Sequence, residues 1–313
     1  MATFLVTGGG GFIGSNLCHA LVARGDKVRA LDNFATGRRE NLEGLVGHTR
    51  FELIEGDITD PAAVARALAG VDYVLHEAAI PSVPRSIDDP LTTDRVNVHG
   101  TVTMLHGAVA AKVKRFVFAA SSSAYGEKAP GAAKIETMAP DPLSPYAAQK
   151  LACEHYLKVF HACYGLPTVA LRYFNVFGPR QDPKSQYAAV IPNFVTAALA
   201  GKPATIFGDG GTTRDFCFID NVVEANLRAC EAEGVSGQVF NIACGAATSL
   251  LEVVDTIAKQ VGTRVAPVHL PERAGDIRHS LADIEKARKG LGYTGRVSFA
   301  DGIARTIEWY RKA

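Results

Sequence analysis

Short apolar runs alternate with longer stretches of mixed polarity through the first half of the chain. Thr3–Thr7, Lys27–Leu31, Phe51–Ile54, Tyr73–His76, Arg115–Ala120 and Thr168–Leu171 read as strands, the first of them buried. Helices are expected between them, over about Phe12–Arg24, Pro61–Leu68 and Thr92–Ala111, and from the segment holding Tyr146 and Lys150 to about Tyr164. Pro61 suits a first helical turn, where no backbone donor is needed. Strands alternating with helices predict an α/β protein built on a doubly wound parallel sheet.

After Asn175 the texture changes. Gly178-Pro179, Asp182-Pro183, Gly201-Lys202-Pro203 and Gly208-Asp209-Gly210-Gly211 punctuate shorter elements. Helices are expected at Ala188–Ala200, Asn221–Glu231, Leu250–Gln260, Ile284–Lys289 and Phe299–Tyr310. These segments predict a smaller C-terminal α/β lobe over the sheet's carboxyl edge, where open α/β sheets bind ligands. The expected division gives 1–175 plus about 214–247 to the sheet domain, and 176–213 with 248–313 to the lobe.

Composition narrows the class. With 47% hydrophobic and 21% charged residues among 313, the chain reads as an ordinary globular protein with a sizeable core. A net charge of +1, with no Lys/Arg-rich block, argues against nucleic acid as partner. No stretch has the apolar length of a membrane span, and Met1–Thr7 shows neither a basic region nor a cleavage site. A cytoplasmic protein is expected. The six cysteines form no Cys-x-x-Cys pair and read as buried free thiols. The nine histidines show no metal spacing, so no metal is expected, and His76 reads as structural.

Gly8-Gly9-Gly10-Gly11-Phe12-Ile13-Gly14 joins the first strand to the first helix, and as G-x-x-G-x-x-G it uses Gly8, Gly11 and Gly14. Glycines permit a tight turn and close approach of a pyrophosphate, whose charge suits the helix N-terminus. Asp32 follows Gly14 by 18 residues at the end of the second strand, where a carboxylate meets an adenosine ribose 2′-OH. It would repel a 2′-phosphate, so the expected cofactor is NAD rather than NADP.

Tyr146 and Lys150 are four apart on one helix, and so lie on one face. A phenol has a pKa of about 10 and is a poor base in water, but a nearby ammonium favours the phenolate. The pair reads as an acid/base device for neutral pH. Ser121-Ser122-Ser123 ends the strand before this helix, where a hydroxyl can bond a substrate oxygen while Tyr146 moves a proton.

Together these segments resemble the extended short-chain dehydrogenase/reductases, specifically the NAD-dependent nucleotide-sugar 4-epimerases. The carrying motifs are the glycine run, Asp32-Asn33, Asp57-Ile58, Ala119 to Gly126, Tyr146-x-x-x-Lys150 and Arg172-Tyr173-Phe174-Asn175-Val176-Phe177-Gly178-Pro179-Arg180. The resemblance spans essentially the whole chain. It implies a Rossmann-type sheet, NAD as cofactor, and Ser121, Tyr146 and Lys150 as catalytic residues. By the same resemblance Phe12, Ile13, Asn33, Thr36, Gly37, Asp57, Ile58, Ala78, Ala79, Asn97 and Tyr173 join the glycines and Asp32 around NAD.

Dehydratases of the family follow the catalytic hydroxyl with Asp-Glu; Ser122-Ser123 stand here instead, which weighs against elimination of water. The resemblance assigns a UDP-sugar substrate to Asn175, Val190, Arg214, Arg273 and Asp276, with Ser122 and Ser123 beside it. Arginine suits a diphosphate, since its fork pairs two oxygens at once. The implied reaction is reversible C4 epimerisation of a UDP-hexose through a transient 4-keto sugar and enzyme-bound NADH. Ser280 is small at the position where epimerases restricted to UDP-glucose and UDP-galactose carry Tyr, and Ser82 and Gln181 also resemble the subgroup acting on UDP-N-acetylglucosamine. UDP-GlcNAc/UDP-GalNAc is therefore the expected pair, with UDP-Glc/UDP-Gal beside it. Arg85 or Arg278 facing a C6 carboxylate would make the chain a UDP-glucuronate 4-epimerase or decarboxylase instead. A non-catalytic NAD-binding sensor is the remote alternative. The two long helices imply a homodimer joined as a four-helix bundle.

Overall fold

The computed structural model describes residues 1–127, 132–183, 190–263, 265–272 and 278–312. Its main sheet holds seven parallel strands: β1 (Thr3–Thr7), β2 (Lys27–Asp32), β3 (Phe51–Glu55), β4 (Tyr73–His76), β5 (Arg115–Ser121), β6 (Thr168–Tyr173) and, later in the chain, β11 (Gln238–Ile242). Their order is β11-β6-β5-β4-β1-β2-β3. The order reverses between β1 and β4, so a crevice opens at their carboxyl ends.

Both faces are covered. Leu17 and Leu21 of α1 (Phe12–Arg24) pack with Val222 and Ala225 of α8 (Ile219–Glu231) on one face. The other face receives Val64 and Leu68 of α2 (Pro61–Leu68), Leu105 of α5 (Gly100–Ala111) and Leu157 of α6 (Pro145–Tyr164). Each such leucine contributes about 1.5–3 kcal/mol relative to exposure. Strands covered on both sides need apolar residues at successive positions, which is why Phe116–Ala120 are all buried.

The C-terminal lobe is built from small pieces. β7 (Val176–Phe177) pairs with β10 (Cys217–Phe218), and β8 (Thr205–Phe207) pairs with β13 (Val268–Leu270). A third sheet has β9 (Thr213–Arg214) between β12 (Thr248–Ser249) and β14 (His279–Ser280). Helices α7 (Val190–Leu199), α9 (Leu250–Val261), α10 (Glu285–Leu291) and α11 (Phe299–Lys312) complete the described elements there.

The single helix expected over Thr92–Ala111 is divided: α4 (Pro90–Asp94), a π-helical turn at Arg95–His99, then α5. The extra residue leaves the Asn97 carbonyl to accept from the Thr101 hydroxyl at 2.6 Å and from Cys153 Sγ at 3.2 Å. Such turns recur at functional sites, and this one leaves the apolar pattern of the sequence intact. A further short helix, α3 (Val83–Asp88), and strand β11 had no explicit place in the sequence pattern. All six cysteines are free; Cys163, expected to be buried, is exposed in the last turn of α6, and Cys244 is half-buried. His76 is fully buried between the hydroxyls of Thr7, at 2.7 Å, and Thr101, at 3.1 Å, and burial pushes its imidazole down to about 3.

α6 starts where Ser144 accepts from the Ala147 N–H and Pro145 needs no donor, and it stops at Gly165, whose φ of 67° favours glycine. Beneath it lies a buried ion pair. Arg172 of β6 donates to both Glu154 carboxylate oxygens, at 2.8 and 2.7 Å, and stands 4.5 Å over the Tyr125 ring.

Candidate active site

The turn from β1 to α1 is formed by glycines, and at Gly8 and Gly14 the backbone leaves no room for anything larger. Gly8 has φ 67°, and a Cβ there would sit 2.8 Å from the Ala78 nitrogen. At Gly14 a Cβ would lie 2.1 Å from the Gly8 carbonyl oxygen. Gly11 caps α1 without a side chain, and the helix's first N–H groups have no intrahelical acceptor. Phe12, Ile13 and Gly14 bring them to the wall of a cavity of about 450 Å³. An anion suits this helix end.

Asp32 stands at the same end of the cavity. Its carboxylate accepts from the Gly10 N–H at 2.8 Å and the Phe34 N–H at 2.7 Å, while burial raises its pKa. Gly37 lies so close that a Cβ would be 2.9 Å from Asp32 Oδ2. At Asp57 burial opposes ionisation, but hydrogen bonds from Thr59 and Asn33 prevail and hold the carboxyl below its usual range. The glycine cradle, the open helix end and the Asp32 carboxylate fit a dinucleotide with an unphosphorylated adenosine ribose.

Tyr146, Lys150 and Ser121 line the other end of the cavity. The Lys150 ammonium donates to the Ala119 carbonyl at 2.8 Å, 5.9 Å from the centroid of the Tyr146 ring and 4.7 Å from that of Phe118. The Tyr146 N–H donates to Ser86 Oγ at 3.0 Å, tying the start of α6 to α3. Ser121 Oγ accepts from the Ser123 hydroxyl at 2.8 Å and the Ser123 N–H at 3.2 Å. Ser121's own proton thereby remains available to another acceptor.

Most residues assigned to NAD from the sequence line this one cavity, among them Asn33, Thr36, Ile58, Ala78, Ala79 and Tyr173. Asn97 instead lies beneath it. Its amide bonds the Ile80 N–H at 2.8 Å and Gln149 Oε1 at 2.9 Å, so it braces the Ala78–Ile80 segment against α6.

The residues assigned to the sugar nucleotide are more dispersed. Ser122 and Asn175 share the cavity wall, Ser123 is behind Ser121, and Ser82 caps α3 near the rim with φ 111°, a conformation serine adopts only under constraint. Gln181 donates to the Val176 carbonyl, and Val190 begins α7. Ser280 is buried in β14, in register with Arg214 of β9. Arg273 and Asp276 lie outside the described residues. Asp215, next to Arg214, was not singled out from the sequence. It is wholly buried, accepts from the N–H groups of Cys244, Gly245 and Ala282, and burial pushes its carboxyl up to about 6. Glu77 also lines the cavity without having been singled out, although a charged residue directly after the apolar strand at Tyr73–His76 was a visible signal.

Among the described residues no cluster of three or more His, Cys, Asp or Glu is arranged to hold a metal, and no helix is long and apolar enough to cross a membrane.

Residues 4–243 match the sequence family described as NAD dependent epimerase/dehydratase. A UDP-glucose 4-epimerase of Mycolicibacterium smegmatis is 42% identical over 309 residues, 98% of each chain. The solved structure of a UDP-N-acetylglucosamine 4-epimerase from Methanobrevibacter ruminantium, in complex with UDP-N-acetylmuramic acid, is 38% identical with a TM-score of 0.94, covering 99% of this chain and 98% of that one. A Thermus thermophilus UDP-glucose 4-epimerase in complex with NAD is 37% identical with a TM-score of 0.88, covering 99% of both.

Proposed function

The chain belongs to the NAD dependent epimerase/dehydratase family, and from that premise we propose that it inverts C4 of UDP-N-acetylglucosamine and UDP-N-acetylgalactosamine, with UDP-glucose and UDP-galactose sharing the site. The observation that carries the reading is the convergence of Ser121, Tyr146 and Lys150 on the cavity whose far end holds the glycine cradle and Asp32. NAD, when bound, supplies reversible hydride acceptance at C4. Tyr146, as phenolate, takes the proton of the C4 hydroxyl and later returns it, and the Lys150 ammonium beside the ring opposes the phenolate's charge before the first event and after the second. Ser121, whose oxygen is already accepting from Ser123, donates to the C4 oxygen. Serines at 122 and 123 offer no acid/base pair for elimination, which supports epimerisation over loss of water.

Asn175, Val190, Arg214, Arg273 and Asp276 are proposed to hold the UDP portion, and Ser82, Ser122, Ser123 and Gln181 the sugar side. The acetamido preference rests on Ser280, a small side chain in register with Arg214. The proposed lobes are 1–175 plus about 214–247 for the cofactor, and 176–213 with 248–313 for the sugar nucleotide. A homodimer is proposed through α5 and α6, where Tyr156, Val159 and Tyr164 are exposed. A cytoplasmic location accords with use of a soluble nucleotide sugar.

Equilibrium conversion of UDP-GlcNAc, UDP-Glc and UDP-GlcA by the purified protein without added NAD, read by product NMR, tests the reading. Interconversion of the acetamido pair is expected, and Ser280→Tyr is expected to reduce it relative to the plain pair. An unchanged ratio refutes the gate. Release of CO2 with a pentose product would make the protein a decarboxylase. Tightly held NAD with no turnover of any UDP-sugar would make it a sensor.

A further inference from the structure

Glu77 has no part in the proton and hydride steps above, yet it lines the same cavity as Tyr146, Lys150 and Asn175. It directly follows β4, and its N–H donates to the Thr7 carbonyl at 3.3 Å, which fixes the backbone beside the glycine cradle. A relay reaches its side chain from α8. Asn226 of α8 donates to the Tyr173 hydroxyl oxygen at 2.8 Å, and Tyr173 donates to Glu77 Oε1 at 2.9 Å. Asn226 is anchored in turn on the Val222 carbonyl at 2.9 Å. The Tyr173 proton is thus directed at the carboxylate and nowhere else.

A carboxyl group in this place is costly unless something opposes its charge. Burial does raise it, to about 7, while the Tyr173 hydrogen bond and the Lys150 ammonium act in the other direction. Glutamine would accept the same hydrogen bond from Tyr173 without the penalty. What glutamine cannot do is attract a cation. The oxidised nicotinamide is a cation and the reduced ring is neutral, and in a low-dielectric cavity that difference is felt strongly.

We propose that Glu77 sets the redox preference of the bound cofactor, its carboxylate, aimed and held by the Tyr173–Asn226 relay, favouring NAD over NADH. An enzyme that borrows a hydride and must return it gains from this bias. It opposes release of a keto sugar that would leave the cofactor reduced and the protein inactive. The inference rests on the cofactor and not on the identity of the sugar.

The test uses the purified holoenzyme and no sugar. Wild type, Glu77→Gln and Glu77→Asp are equilibrated with equal NAD and NADH and freed of unbound nucleotide. The bound ratio is read from the near-ultraviolet band of the reduced nicotinamide. Glu77→Gln is expected to shift the ratio toward NADH by about tenfold, the equivalent of one pKa unit of interaction, and Glu77→Asp, which keeps the charge, by less. An unchanged ratio in Glu77→Gln overturns the proposal.

Wild type supplies a second measurement that needs no variant. Its preference for NAD should rise from about pH 6 to about pH 8 as Glu77 ionises. The other charged or titratable groups around it are Lys150 and Tyr146 on α6, Tyr173 on β6 with Cys217 beyond it, and His76 on β4, the last held neutral over that range by its burial. A wild-type preference that matches that of Glu77→Gln at every pH also overturns the proposal. Loss of all sugar turnover alongside an intact shift would defeat the epimerase reading and leave this one standing.

Discussion

Replacing Glu154 by Leu removes one side of the buried pair beneath α6. Arg172 is then left 3% exposed, with a guanidinium that loses both of its carboxylate bonds. Its Nη1 has no hydrogen-bond partner even in the intact protein. Removing one partner of a buried pair costs about 3–5 kcal/mol, because the remaining charge is desolvated and unopposed. Unfolding entropy near 60 °C is roughly 2.1 cal/mol/K per residue. For 313 residues that gives about 0.66 kcal/mol/K, and so a fall in Tm of about 5–8 °C. Differential scanning fluorimetry at fixed saturating NAD is the assay, since a ligand that binds only the folded state moves Tm by itself. The double variant Glu154→Leu with Arg172→Met replaces charge by apolar volume on both sides and should recover most of the loss. A single-variant fall below about 2 °C, or a double variant as unstable as the sum of the two singles, would refute the assignment of the penalty to the stranded guanidinium.

Tyr146→Phe should lower epimerisation by about 10²–10⁴ while retaining bound NAD, the range for loss of a general acid/base; full activity in product NMR would remove Tyr146 from the mechanism. Gly14→Ala places a methyl 2.1 Å from the Gly8 carbonyl oxygen, so it should lose bound NAD on gel filtration, whereas Gly44→Ala, open around its Cβ but at φ 79°, should lose stability without losing cofactor. The depressed pKa of His76 means that the folded state resists its protonation, so its stabilising contribution is intact above about pH 6.5 and lost as pH falls toward about 3. Between about pH 6.5 and about pH 4.5 that group alone should remove on the order of 2 kcal/mol in urea melts, and His76→Gln should show a correspondingly shallower fall.

Legibility in the sequence followed burial. Runs such as Phe116–Ala120 and Val169–Leu171 are apolar at successive positions because both faces are covered, and they announced a parallel sheet. Two-residue strands such as His279–Ser280 carry no period at all, and their pairing depends on segments far away in sequence. The π-helical turn at Arg95–His99 keeps an uninterrupted helical pattern, so nothing local betrayed the redirection of Asn97 from the cavity to Ile80 and Gln149. The chemical residues were legible for a different reason. A glycine cradle, a strand-ending Asp and a Tyr four before a Lys are fixed by covalent spacing, whereas the partners of Glu77 and Asp215 come from separate and distant parts of the chain.

Asp215 has a consequence for the order in which the molecule can assemble. One carboxylate clasps the chain at Cys244, Gly245 and Ala282, up to 67 positions ahead of it. Closing such loops is slow compared with joining β1, α1 and β2, all of which lie within the first 32 residues. The cradle and its carboxylate can therefore be complete while the small sheet around β9 is still open. In a refolding experiment, protection of Gly10 N–H should precede protection of Ala282 N–H, so that the glycine cradle forms early and the small sheet around β9 closes last.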